Sequence, residues 1–297
     1  MQNHPPAAVP DVGCAPLKFG KAKEFQLELR RRVEAYFAAA GRGERDCPAM
    51  YLKSAIILAG FALGYVLLVF FAKTWWEAVP LAVFTGFTMA EIGFNIMHDA
   101  SHKAYSDRPW DNKLMTMSLD LVGGSSYMWR WKHVVFHHTY VNLKGRDTDI
   151  DLGIFGRVSP YHRRHGFHRW QHFYLWPLYG FLTPKWHFYD DFRDYISGRM
   201  GDNTFPRPRG WDLTVFIGGK LVFATLAFVI PLLFHPFWTV AAYYALTVAV
   251  AGVTLSVVFQ LAHCVEEADF PELPAGATEI AKPWALHQVE TTVDFAR

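Results

Sequence analysis

EIGFNIMHDASHKAYS (residues 91–106) and WRWKHVVFHHTYVN (residues 129–142) hold five of the chain's 14 histidines. His98 and His102 are four apart, as are His133 and His137, and His138 follows directly. On an α-helix, residues i and i+4 lie one above the other, so each pair aims two imidazoles at one point. His138 falls about 100° further round, placed to serve a neighbouring metal. The spacing therefore predicts two ligand-bearing helices that meet, and this is the active centre the rest of the chain must hold.

The helix entering the first pair runs back into an apolar stretch, and three more such stretches set the fold. Ser54 to Ala72 is 19 residues without a charge, which is roughly 28 Å of helix and enough to cross a bilayer. KTWWEAVP, from Lys73 to Pro80, supplies a turn with Trp75 and Trp76 at interface depth, and Ala78 to Met97 returns. Leu213 to Phe234 and Phe237 to Phe259 repeat the hairpin around His235 and Pro236. Lys220, the one charge in the third run, is expected to snorkel to the nearer surface. The fold class is all-α integral membrane protein, with four transmembrane helices in two hairpins and a cytoplasmic helical cap.

Charge sets the orientation. Nine Lys and Arg between Lys18 and Lys53 precede the first span, the loop from His98 to Gly210 is basic, and the hairpin tips hold only Lys73. By the positive-inside rule the N-terminus, the central loop and the C-terminus are cytoplasmic, and the histidine centre with them. Residues 1–17 read as a disordered tail, 18–53 as an amphipathic cytoplasmic or interfacial segment with a helix over 18–40, and 54–297 as the membrane domain. Leu114 to Tyr127 is too short to span and reads as a re-entrant or interfacial helix. Residues 161–195, dense in Trp, Tyr, Phe and His, read as lying in the membrane interface.

Composition agrees. Hydrophobic residues make up 52% and charged residues 19%, a balance that fits a polytopic membrane protein with polar loops. A net charge of +2 leaves no nucleic-acid footprint. Cys14, Cys47 and Cys264 are scattered, which suits a reducing compartment and offers neither a disulfide framework nor a thiolate metal site. The first apolar run starts too far in for an N-terminal signal peptide.

Two polar stripes lead toward the histidines. Glu91, Asn95, His98 and His102 are spaced 4, 3 and 4 apart and fall within an arc of about 60° on a continuous helix. Ser256, Gln260 and His263 repeat the pattern in the fourth run. An ionisable residue in an apolar span faces a polar interior, so convergence on one metal centre is the simplest reading. Alternatively, Glu91, Asn95 and Gln260 hydrogen-bond between helices. Imidazole ligation without Cys suits Fe, Zn or Cu. The zinc-protease motif HExxH needs a Glu where Asp99 stands, and Asp99 reads instead as a group fixing a histidine tautomer. Five to six histidines fit a two-metal site better than a four-coordinate zinc.

These motifs resemble the membrane fatty acid desaturases. His98-Asp-Ala-Ser-His102 is similar to their first histidine box (HDxxH), and His133-Val-Val-Phe-His137-His138 to their second (HxxxHH). The run from Tyr140 to Asp149, FQLAHCVEEADFP around His263 and WALHQVETTVDFA resemble the flanks of bacterial acyl-lipid and acyl-CoA desaturases, including the linoleoyl-CoA type. The resemblance covers residues 54–297. It implies a bacterial inner-membrane enzyme with two Fe ions, O2 as oxidant and a fatty acyl lipid or acyl-CoA as substrate. Electrons would come from a ferredoxin or b-type cytochrome, because no dinucleotide fingerprint or haem domain is visible. Carried over by position, the metal ligands are His98, His102, His133, His137, His138 and His263. Asp147 and Asp149 fall in the polar run after the second box, as substrate head-group contacts or as loop-ordering groups paired with Arg146.

The family's third box, QxxHH or HxxHH, has no counterpart before Arg297, so the expectation is an incomplete iron site and impaired activity. A lipid hydroxylase or ketolase with the same centre, or a non-catalytic membrane remnant, are the alternatives. His162, His165, His168 and His172 are expected on an interfacial basic face, and His187 and His235 at an interface or turn.

Overall fold

The computed structural model describes residues 17–274 and 276–293. The tail expected over 1–17 lies, apart from Leu17, outside these described residues. Among the described residues, four helices are long and apolar enough to cross a membrane: Pro48–Phe71, Trp75–Ser101, Trp211–Leu232 and Phe237–His263. They match the four predicted runs, the first and third starting earlier and ending one or two residues sooner, the second longer at both ends and the fourth longer at its C-terminal end. The first starts at Pro48, whose missing N–H is harmless in an opening turn. Thr74 and Glu77 form a reciprocal capping box that starts the second.

The connections place the polar ends together. Spans two and four finish where spans one and three begin, so the ends carrying His98 and His263 lie opposite the hairpin tips. At the tips, the rings of Phe70 and Phe234 meet at 5.0 Å, and His235 Nε2 lies 2.6 Å from the carbonyl of Val69. Spans two and four pack closely at Gly86, where an added Cβ would meet the backbone of Thr247. Outward residues such as Leu63, Phe70, Leu221 and Leu233 stay exposed, as a lipid-facing surface requires. A core of Met89, Ile92, Ile96, Leu119, Val122, Trp129 and Ala251 lies just below the histidines.

The rest gathers around that polar end and departs from expectation in several places. The helix predicted over 18–40 gives way at its start to a strand, β1 (Lys18–Gly20), and only then becomes the helix α1 (Glu24–Ala40). A small hairpin of β2 (Arg199–Met200) and β3 (Asn203–Thr204) precedes the third span, and β4 (Glu279–Pro283) pairs in parallel with β1. The strand forms because Leu17 is buried beside Tyr140, Leu143 and Ile280. Gly20 also lets its backbone approach Ala281 more closely than a side chain would allow. Packing across the chain overrides local helix preference here.

The 114–127 stretch is divided among three short helices, Pro109–Thr116, Ser118–Leu121 and Ser126–Trp129, with a turn at Gly123 (φ +98°) before the last. Lys220 does not snorkel: its ammonium donates to the carbonyl of Gly123 and to Asp191 Oδ2, each at 2.7 Å. His187 is buried, with Nδ1 2.9 Å from the hydroxyl of Tyr244. His168 is buried too, with Nε2 2.8 Å from the carbonyl of Ile154. Both are internal latches, not surface residues. The segment around them still exposes Trp170, Phe173, Trp176 and Phe181.

Candidate metal centre

His133 and His137 lie on a π-helical turn, Arg130–His137, whereas His98 ends a second one, Gly93–His98, and His102 follows an α-helical turn, its N–H bonded to the carbonyl of His98 at 3.2 Å. A π turn bonds each N–H to the carbonyl five residues back, and the N–H of His138 does so to His133 at 3.1 Å. His138 is therefore brought against His133, with their Nε2 atoms 3.1 Å apart. It does not turn away toward a neighbouring metal as α-helical spacing predicts. Trp129, one turn earlier, stacks on His133 with ring centroids 4.1 Å apart at 22°. The indole N–H of Trp129 donates to Ser101 Oγ at 3.2 Å, between the first two histidines. One indole thus braces both boxes.

His98, His102, His133 and His138 form one group, each offering a ring nitrogen within 4.8 Å of the others. Two neutral imidazole nitrogens facing each other at 3.1 Å repel unless a cation or proton lies between them. Ligands ~2.1 Å from one metal and at right angles stand about 3 Å apart, so the spacing suits shared coordination. His102 Nε2 is buried without a hydrogen-bond partner among the described residues. Burial lowers the pKa of His102 to about 4. It also holds His133 well below the usual imidazole value and lowers His138, with neighbouring imidazoles adding to the effect. All three are neutral at pH 7, the form that ligates metal.

Oxygen atoms hold the other faces of three rings. His133 Nδ1 lies 3.1 Å from Asp149 Oδ2, His137 Nδ1 2.9 Å from Asp147 Oδ2, and His263 Nδ1 3.4 Å from the carbonyl of Thr291. Each contact leaves Nε2 as the open nitrogen, the arrangement typical around metal-binding histidines. His137 and His263 face each other with ring centroids 4.7 Å apart. Burial works against a charged His137, but the Asp147 carboxylate, its hydrogen bond and Asp149 outweigh it and raise the pKa.

Asp149 is only half-buried; desolvation disfavours its charge, yet Lys132 at 3.5 Å and His133 pull its pKa well down. His133, His137 and Asp149 also lie within metal-binding reach of one another. Because both Nδ1 atoms face Asp149, at 3.1 and 3.8 Å, we read that trio as carboxylate support for the imidazoles.

The remaining sequence candidates divide. Asp147 and Asp149 sit on the histidines, and Arg146 instead stacks over Tyr140. Asp99 lies 3.8 Å from His98 Nδ1. Asn95 donates to Glu91 and accepts from Lys53 at 2.9 Å, and Gln260 accepts from the hydroxyl of Tyr179. Those three make bonds between helices or along one. The sequence reading missed Trp129, Lys132, Asn142 and Thr291. All four lie inside stretches already singled out, Trp129 and Lys132 beside the second box, Asn142 in the Tyr140 to Asp149 run and Thr291 in WALHQVETTVDFA, but nothing in the sequence marks their partners.

Residues 73–297 match the family model described as "Fatty acid desaturase". The sn-1 linoleoyl-lipid 6-desaturase of Arthrospira platensis is 36% identical over 280 residues, covering 94% of this chain and 75% of that protein. The sn-1 linoleoyl-lipid 6-desaturase of Synechocystis sp. is 34% identical, covering 94% and 78%. An acyl-lipid (8-3)-desaturase of Physcomitrium patens is 36% identical, and the chain spans 95% of itself but 60% of that protein.

Proposed function

We propose that this chain, which belongs to the fatty acid desaturase family, introduces a cis double bond into an acyl chain carried on a lipid. The observation that carries this reading is the meeting of six histidines from three separate parts of the chain, with the outer nitrogens of three of them held by carboxylates and a carbonyl. His98, His102, His133 and His138 would hold one iron, and His137 and His263 would hold a second, less fully enclosed among the described residues. Bound iron supplies the chemistry by which O2, two electrons and two protons take two hydrogens from a CH2–CH2 pair, leaving CH=CH and two waters.

The chain's own residues supply position and dryness. Asp149 and Asp147 fix the imidazole tautomers, and Trp129 with the core beneath it keeps water from one side. An apolar cavity of about 610 Å³ between the spans, lined by Phe61, Tyr65, Met89, Val122, Phe223 and Tyr244 among others, has the dimensions of a ligand site. It would take the methyl end of the acyl chain. The centre faces the cytoplasm of a bacterial inner membrane, where the basic central loop would dock an acidic ferredoxin or b-type cytochrome.

The test is expression of the full chain with lipid feeding, followed by fatty-acid analysis and iron content. A new double bond is expected, abolished in His98→Ala and His137→Ala together with a fall in iron. No new double bond from any lipid or CoA ester supplied with a competent donor, or iron unchanged in both variants, would refute the reading.

A further inference from the structure

Asn142 is fully buried and has a left-handed backbone (φ 60°), which Asn tolerates better than most residues. Its backbone N–H donates to Asp147 Oδ2 at 2.9 Å. Its side-chain amide faces three carbonyls, those of His263 at 2.9 Å, Asp269 at 3.0 Å and Thr291 at 3.4 Å. These acceptors fix which way the amide points, since the flipped form would set oxygen against oxygen. Its own Oδ1 is buried without a partner among the described residues, an unfavourable state for an acceptor. The position is thus occupied for its donors.

Three of those four contacts lead to the same half of the site. Asp147 holds His137 through Nδ1, the carbonyl of Thr291 faces His263 Nδ1, and the carbonyl of His263 is bound directly. We propose that Asn142 is a positioning residue for the pair His137 and His263, setting their approach by tying the end of the fourth span to the loop that carries Asp147. The inference rests on reading those two histidines as ligands. Asn142 acts through the Asp147 carboxylate and the His263 backbone.

Cobalt(II) titration of the purified full chain, stripped of metal, tests it. Asn142→Gly keeps the left-handed backbone and removes the amide; it should weaken cobalt binding about 10- to 100-fold, as loss of an outer support does. In a His137→Ala/His263→Ala background only the four-histidine group remains. There Asn142→Gly should change affinity by no more than about 2-fold, the additivity expected of independent sites. A general loosening of the fold would weaken that group as well and would overturn the proposal. Asn142→Asp, of the same shape but with oxygen against the three carbonyls, should bind cobalt at least as weakly as Asn142→Gly. Wild-type affinity in either variant overturns the proposal while leaving the ligand reading intact. Failure of the unmutated chain to bind cobalt overturns both.

Discussion

Gly86→Ala is expected to pry the second span from the fourth and, with it, the first histidine box from His263. An added Cβ at Gly86 would sit inside the contact radius of the Thr247 carbonyl oxygen, 3.0 Å from Val250 Cβ and 3.2 Å from the Thr247 carbonyl carbon. Two of these neighbours are backbone atoms of a continuous helix, so no rotamer change relieves the clash. Overpacking of this kind costs about 1–3 kcal/mol. Ala in a helix recovers up to ~1 kcal/mol over Gly, which only partly offsets it. Gly218 on the third span is the control, because an added Cβ there meets nothing within 4 Å. Gly218→Ala should be neutral or stabilising, and the two variants should separate by roughly 1–3 kcal/mol, because the helix gain is common to both and cancels. Thermal unfolding of detergent-purified protein measures this, with bound metal followed in parallel. A Gly86→Ala variant as stable as Gly218→Ala, with unchanged metal, would refute the close-packing argument.

Burial raises the Asp120 carboxyl to about 6, and its Oδ2 has no partner among the described residues. A carboxyl whose folded pKa exceeds its unfolded value of ~3.9 stabilises the protein below that value and loses the contribution as pH rises through the folded pKa. Asp120→Asn should therefore raise the unfolding temperature at pH 7.5, by the equivalent of ~3 kcal/mol, with the gain gone by pH 4; a lower midpoint at pH 7.5 would contradict it. Cysteines introduced at Glu77 and Phe237, one per hairpin tip, should react with an impermeant maleimide from outside the cell, and labelling only after lysis would reverse the proposed orientation.

The spans were legible because a bilayer leaves few choices: a run of apolar residues some 20 long must satisfy its backbone as a helix. Histidine spacing located the boxes and gave the right i to i+4 bond between His98 and His102, but the wrong local helix for the second box. The sequence between Arg130 and His137 has no Pro or paired Gly to announce a π turn, which is stabilised by what packs around it. Hence His138 was assigned to a different direction from His133, although the two face each other. The polar stripes were legible as positions and not as partners. Lys53 and Tyr179, which bond Asn95 and Gln260, belong to distant segments, and no periodicity could pair them. β1 was invisible for the same reason: a strand of three residues exists only because β4 arrives beside it.

The two halves of the centre are assembled at different distances along the chain, and this bears on how metal binding and folding are coupled. His98, His102, His133 and His138 come from two neighbouring segments braced by Trp129 and Ser101, with Asp149 and Phe259 packed on His133 from later in the chain. His137 meets His263 only after the fourth span is in place, and His263 in turn takes its orientation from Thr291, beyond β4. That returning segment is held by the β1–β4 pairing, by Trp284 donating to the carbonyl of His138 at 3.1 Å, and by Phe19 against His287. A ligand that binds only the closed arrangement stabilises it by mass action. Metal at His137 and His263 therefore favours closure of both terminal segments over the site, whereas metal at the four-histidine group acts first on the two boxes and reaches the returning segment through the carbonyl of His138.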